Sequence, residues 1–231
     1  MVIPMLSALD PTNRLPKGLQ IFQHLRQAIV TLKFKPGQSL SEKEISLQLG
    51  VSRQPVREAF IMLSEAGLVD IMPQRGTLVI KISLEAVKTA RFIRETLEVA
   101  VAKEACGKLN GAFFLRTRAL IAQQKMAAEA EDFEEFLSLD EAFHKSIALE
   151  IGMQRVWELV ESQKAQMDRV RFLSLPGASP MRKLIAQHEA ILDALEKGDK
   201  SACEEAVKQH LSEVLSVLEP LSLAFPDYFS E

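Results

Sequence analysis

Three histidines and one aspartate hold most of the chemical interest in this chain. Asp140 and His144 stand four residues apart in the run LDEAFH. On a helix that spacing puts both side chains on one face, close enough to share one ion. Phe136, Leu137, Phe143, Ile147 and Ile151 surround them, so the face borders a core. His188 is flanked by Leu184, Ile185, Ile191, Leu192 and Leu195, and His210 by Cys203, Ala206, Val207, Val214 and Val217. Both therefore face inward. A single inward histidine is accounted for by a bond to a carbonyl or an acid. Four inward polar groups on three helices need a shared reason, because burying each one unpaired costs on the order of several kcal/mol. Imidazole and carboxylate are natural ligands of divalent zinc, nickel or manganese. Three histidines and an aspartate leave room for a further ligand in a five- or six-coordinate ion, unlike the closed tetrahedron of structural zinc.

Two arginines extend such a centre toward anions. Arg94 lies in the run Ala90, Arg94, Leu97, Val101, with Glu98 as an obvious partner four residues on. Arg171 follows Trp157, Val160, Lys164 and Met167 at spacings of three and four. A guanidinium selects a carboxylate through two parallel hydrogen bonds. A metal held by these residues also suits water activation, so a metal-dependent hydrolase is one alternative reading. A protein whose metal is purely structural, or is itself the sensed signal, is another. No further base, nucleophile elbow or phosphate-binding glycine loop accompanies the four ligands, so catalysis is not expected.

A second chemistry sits upstream, in Ser41 to Gly76. Ser41 and Glu44 form the signature of a capping box, Leu47 and Leu49 supply apolar contacts, and Gly50 stops a short helix. Ser52 is placed to cap a second helix that runs to about Ala66, with Gly67 as its stop. Val56, Ala59, Phe60 and Leu63 form its buried stripe, which leaves Arg53, Gln54 and Arg57 exposed near its start. Two helices at a tight turn read as a helix-turn-helix, whose second helix enters the DNA major groove. Arg and Gln make paired hydrogen bonds to guanine and adenine edges. Lys43 and Ser52 are expected to position the phosphate backbone. Val69–Met72 and Thr77–Ile80 flank the turn Pro73-Gln74-Arg75-Gly76, a hairpin suited to serve as a wing with Arg75 and Gly76 at its tip.

The elements that must position these groups follow from periodicity and breaks. Residues 1–14 read as a loose arm, and Leu19, Phe22, Leu25, Ile29 and Leu32 mark a first helix over about 16–33. The winged unit closes a DNA-binding domain over 15–82. Ile82-Ser83 is the linker. Beyond it lie six long helical segments, at about 84–108, 111–130, 133–150, 153–173, 180–197 and 200–219. Asn110-Gly111, Asp132, Gly152, Pro176-Gly177, Pro180 and Gly198-Asp199 mark the breaks. Long segments with short connections predict an all-α antiparallel bundle over 83–223, followed by a tail at 224–231. The fold class is mainly α.

Composition agrees. Of 231 residues, 47% are hydrophobic and 26% charged, ample for a sizeable core. Two cysteines are too few for a disulfide framework and fit a reducing, cytoplasmic setting. No membrane span or signal peptide is read. The net charge of −3 divides unevenly. Residues 1–83 hold 10 Lys and Arg against 6 Asp and Glu, a net +4, and the remainder holds 18 against 25, a net −7. A basic head on an acidic body fits DNA contact by the head alone.

The stretch PGQSLSEKEISLQLGVSRQPVREAFIMLSEAGLV resembles the DNA-binding head of the GntR family of bacterial transcription regulators. DEAFHKSIA and QHEAILDALEKGDKSACEEAVKQHL resemble the FCD effector domain of its FadR-type branch. The D-x3-H…H…H signature of that branch lands on Asp140, His144, His188 and His210, and its R-x3-E pattern on Arg94 and Glu98. One departure stands at Met153, where many members carry asparagine. The resemblance implies a repressor that sits as a homodimer on an inverted-repeat DNA operator, its DNA binding relieved or promoted by a small organic acid. That acid would bind at a divalent metal, zinc first, with nickel or manganese as alternatives, and would engage Arg94 or Arg171.

Overall fold

The computed structural model describes residues 6, 8–10, 12–72, 76–177 and 180–230. They form two compact units, one of Met1–Leu84 with Ser222–Glu231 and one of Glu85–Leu221. The fold is mainly helical, a winged helix-turn-helix followed by an all-α domain.

In the first unit, α1 (Lys17–Val30) packs on α3 (Arg53–Glu65), with α2 (Glu42–Leu49) beside it. Ile21, Leu25, Ile29, Val56, Phe60 and Leu63 are fully buried between them. Ser41 Oγ accepts the Glu44 N–H, so the N-cap forms as the sequence signature requires. Gly50 ends α2 at φ 64°, a left-handed position that glycine adopts without strain. Leu47 does not pack. It is exposed, and Ile45 fills the core in its place. The wing pairs β2 (Val69–Met72) with β3 (Gly76–Val79), Val69 opposite Val79 and Met72 opposite Gly76. A two-residue β1 (Ser39–Leu40) adds to the far edge of β3. Part of the arm is held: Leu6 is buried and donates its N–H to the Gln48 side chain, and Gln20 ties down the Asn13 and Leu15 carbonyls. The last residues also join this unit, because β5 (Phe229–Ser230) pairs in parallel with β4 (Ile82–Ser83).

The second unit contains α4 (Leu84–Ala105), α5 (Gly111–Glu129), α6 (Phe133–Glu150), α7 (Gln154–Gln163), α8 (Ala165–Ser174), α9 (Met181–Lys197) and α10 (Lys200–Ala224), the last running on past Leu221. α5 packs on α6 and α9. The expected breaks cap these helices as their residue types require. Asn110 accepts the Phe113 N–H, Asp132 the Glu135 N–H, and Asp199 the Ser201 and Ala202 N–H groups. One expected segment divides. The run over 153–173 is interrupted at Lys164, which ends α7 and starts α8. Among the described residues no helix is long and apolar enough to cross a membrane.

Candidate metal centre and nucleic-acid interface

α6 supplies Asp140 and His144, α9 supplies His188 and α10 supplies His210. All four are buried, and one ligand atom from each lies within 4.8 Å of all the others. His210 Nε2 is 3.1 Å from His144 Nε2 and 3.3 Å from His188 Nε2. His188 Nε2 is 3.3 Å from Asp140 Oδ1.

The surroundings decide what those atoms carry. His188 Nδ1 meets Gln124 Oε1 at 2.8 Å, and Gln124 Nε2 donates to the Leu139 carbonyl at 3.2 Å. That second bond fixes the amide with its oxygen toward the imidazole. An amide oxygen only accepts, so the His188 proton sits on Nδ1 and the Nε2 lone pair faces the cluster. Gln187 Oε1 does the same for His210 Nδ1 at 3.0 Å, and Glu98 Oε2 for His144 Nδ1 at 2.6 Å. Arg171 Nη2 donates to Asp140 Oδ2, whereas buried Asp140 Oδ1 accepts no hydrogen bond. Three nitrogen lone pairs and a carboxylate oxygen therefore converge with no proton between them. A cation would relieve that crowding, and the donor set of three imidazoles and one carboxylate fits a divalent one.

Electrostatics point the same way. Burial pushes the His188 imidazole below its ordinary range, and burial together with neighbouring His188 and His144 pushes His210 well below it. Both stay neutral, as ligands must. Burial alone would raise the Asp140 carboxyl, but Arg171 and the His188 contact hold it well below the usual range. Burial likewise opposes ionisation of Glu98, and Arg94 and His144 bring it down to about 2.

A cavity of about 30 Å³ adjoins the cluster, lined in part by Arg94, Asp140, Arg171, Ser174, His210 and Glu213. That is room for roughly two waters. Both arginines named from the sequence reach it, and both are already engaged. Arg94 Nε donates to Glu98 within a buried ion pair, and Arg171 spans Asp140 and Asp168.

In the other unit Arg53, Gln54 and Arg57 are exposed at the start of α3, and Lys43 and Ser52 are exposed nearby. Arg57 is held by α2. Its Nε and Nη2 each lie 3.1 Å from a Glu42 carboxylate oxygen. Gln54 donates to Glu58 at 3.1 Å. Ser52 occupies the N-cap position, but its hydroxyl makes no capping bond, contrary to the expectation from its type. Gly76 opens β3 at φ 91°. Arg75 lies outside the described residues.

Residues 17–79 match the bacterial regulatory proteins of the gntR family, and residues 90–213 match the FCD domain. The HTH-type transcriptional repressor RspR of Escherichia coli (strain K12) is 41% identical over 223 residues, covering 96% of this chain and 97% of that one. This chain belongs to the GntR family. The probable D-xylose utilization operon transcriptional repressor of Paenarthrobacter nicotinovorans is 28% identical over 183 residues, or 78% of each chain. The solved structure of E. coli McbR/YncC superposes with a TM-score of 0.80 at 22% identity, covering 90% of this chain and 99% of that one. A GntR regulator from Rhodococcus sp. RHA1 superposes at 0.74 with 26% identity, covering 87% and 97%. A GntR head followed by an FCD domain is the FadR-type arrangement, and the chain is a transcriptional regulator.

Within this GntR regulator the four expected ligands stand together, and Arg94 and Arg171 adjoin them. Sequence reading missed Gln124 and Gln187. Gln124 carries a signal, being the polar member of the buried α5 stripe Phe113, Thr117, Ile121, Gln124. Gln187 does not, because the residue next to His188 gives no periodic cue.

Proposed function

We propose that this chain is a ligand-responsive repressor of the cytoplasm whose sensory unit holds one divalent cation on Asp140, His144, His188 and His210. Zinc is the first candidate, with nickel or manganese as alternatives. The observation that carries this reading is the convergence of three Nε2 atoms and Asp140 Oδ1, each imidazole facing an acceptor at its Nδ1. When bound, the ion supplies a Lewis-acidic centre with space for an outside oxygen. The effector is a small carboxylic acid entering the adjoining cavity. Arg94, whose Nε alone is given to Glu98, and Arg171 are the cations that orient its carboxylate. The cavity must widen to admit it, and that demand is the source of any conformational signal.

The head reads DNA as one half of a homodimer on an inverted repeat, with recognition helices about 34 Å apart. Arg53, Gln54 and Arg57 contact bases or adjacent phosphates, Lys43 and Ser52 set the backbone, and Arg75 and Gly76 serve the wing. Ser52 keeps its hydroxyl free of a cap bond, which suits a phosphate contact. Repression is supported by the names of the relatives, two of which are repressors.

A thermal-shift screen of organic acids against zinc-loaded and chelated protein, paired with gel shifts on the operator, tests this reading. A carboxylic acid that raises the melting temperature only with zinc present, and alters operator affinity, is the expected result. A shift indifferent to chelation, or zinc that changes operator affinity with no acid present, would contradict it.

A further inference from the structure

The ionic contacts around Asp140 continue beyond Arg171. Arg171 Nη1 donates to Asp168 Oδ1 at 3.1 Å. Asp168 Oδ2 accepts from Lys164 Nζ at 2.7 Å, and the same ammonium donates to Glu141 at 2.8 Å. Lys164 and Asp168 are only 1% and 2% exposed. Charges of alternating sign thus run from a ligand atom to the joint between α7 and α8, and return to the residue that follows Asp140. Lys164 is that joint, since one helix ends on it and the next begins on it.

Stability alone does not account for such a chain. Buried ion pairs are expensive to desolvate, and well-packed apolar residues in their place are often neutral or stabilising. What a chain of this kind does provide is orientation. An arginine side chain has many rotamers, and one bond to Asp140 does not select among them. The second bond, to Asp168, pins the guanidinium plane. Arg171 then occupies Asp140 Oδ2 and leaves Oδ1 as the Asp140 oxygen that faces His188 Nε2.

We propose that Asp168, steadied by Lys164, is a positioning residue for the metal ligand Asp140, acting through Arg171. The same contacts tie the α7–α8 joint to the occupancy of the centre. This rests on the metal reading above.

The test is zinc affinity of the full chain, measured by competition with a chromophoric chelator, alongside the melting temperature of the metal-free protein. Asp168→Asn is expected to weaken zinc binding about 10- to 100-fold, the range seen when outer partners of metal ligands are lost. Asp168→Glu is expected to restore most of it. Should Asp168→Asn fail to fold, Arg171→Lys, which keeps the charge but loses the fork, is measured instead with the same expected loss. A folded variant with a lowered melting temperature and unchanged zinc affinity would show a structural role only and overturn the proposal. Wild-type protein that binds no zinc would remove the metal reading itself, and this proposal with it.

Discussion

A histidine that binds a metal almost always donates its other ring N–H to a partner, and here each of the three clustered histidines has a different partner at Nδ1. Gln124, Gln187 and Glu98 each face one Nδ1, so the proposed metal chemistry depends on residues that would not themselves touch the ion. Gln124→Leu keeps the bulk but removes the acceptor, and should weaken zinc binding about 10-fold or more in a chelator competition. The cluster of Asp140, His144, His188 and His210 was legible because each lies on an apolar stripe where a polar side chain is out of place. Their partners were not, since Glu98 and Gln124 come from other helices and spacing along one helix cannot report that. Arg94 and Arg171 were legible as inward cations, but not as cations already paired with Glu98 and with Asp140 and Asp168. In the head, Glu42 of α2 accepts two hydrogen bonds from Arg57 of α3. Arg57→Ala is expected to weaken specific operator binding by about 1–3 kcal/mol if Arg57 reads a base, measured by gel shift.

At the scale of elements, chemistry at the breaks outperformed periodicity. Asn110, Asp132 and Asp199 all cap the helices that their types announce, because a side-chain oxygen three residues ahead of a free N–H is a local device. Asp132→Ala should cost about 1 kcal/mol in urea unfolding, through loss of the α6 cap. The division at Lys164 was not legible, since a one-residue interruption scarcely disturbs a helical repeat. Nor were β1 and the β4–β5 pair, whose two-residue strands are too short to alternate. The end of α4 and the start of α10 meet at two thiols, Cys106 Sγ and Cys203 Sγ, 2.9 Å apart and both buried. Burial, with Cys106 beside it, pushes the Cys203 thiol up. Both thiols should therefore resist an aromatic disulfide reagent in the native protein and react only after unfolding, which a thiol titration in and out of denaturant reads directly.

At the scale of the whole chain, the uneven charge sets the terms of DNA binding. A head of net +4 attached to a body of net −7 confines attraction for phosphate to the winged unit. Operator affinity should fall linearly with the logarithm of salt concentration, and Lys43→Ala should shallow that slope by about 1 while weakening all sequences alike. In the proposed scheme the helical unit passes its state to such a head, and that scheme depends on one cation being there to organise it. The most direct measurement is the metal content of purified protein by elemental analysis, on wild type and on His188→Ala. About one zinc, nickel or manganese per wild-type chain, and almost none in the variant, is the expected result. Wild-type protein free of metal, or a variant that keeps its full complement, would contradict the account.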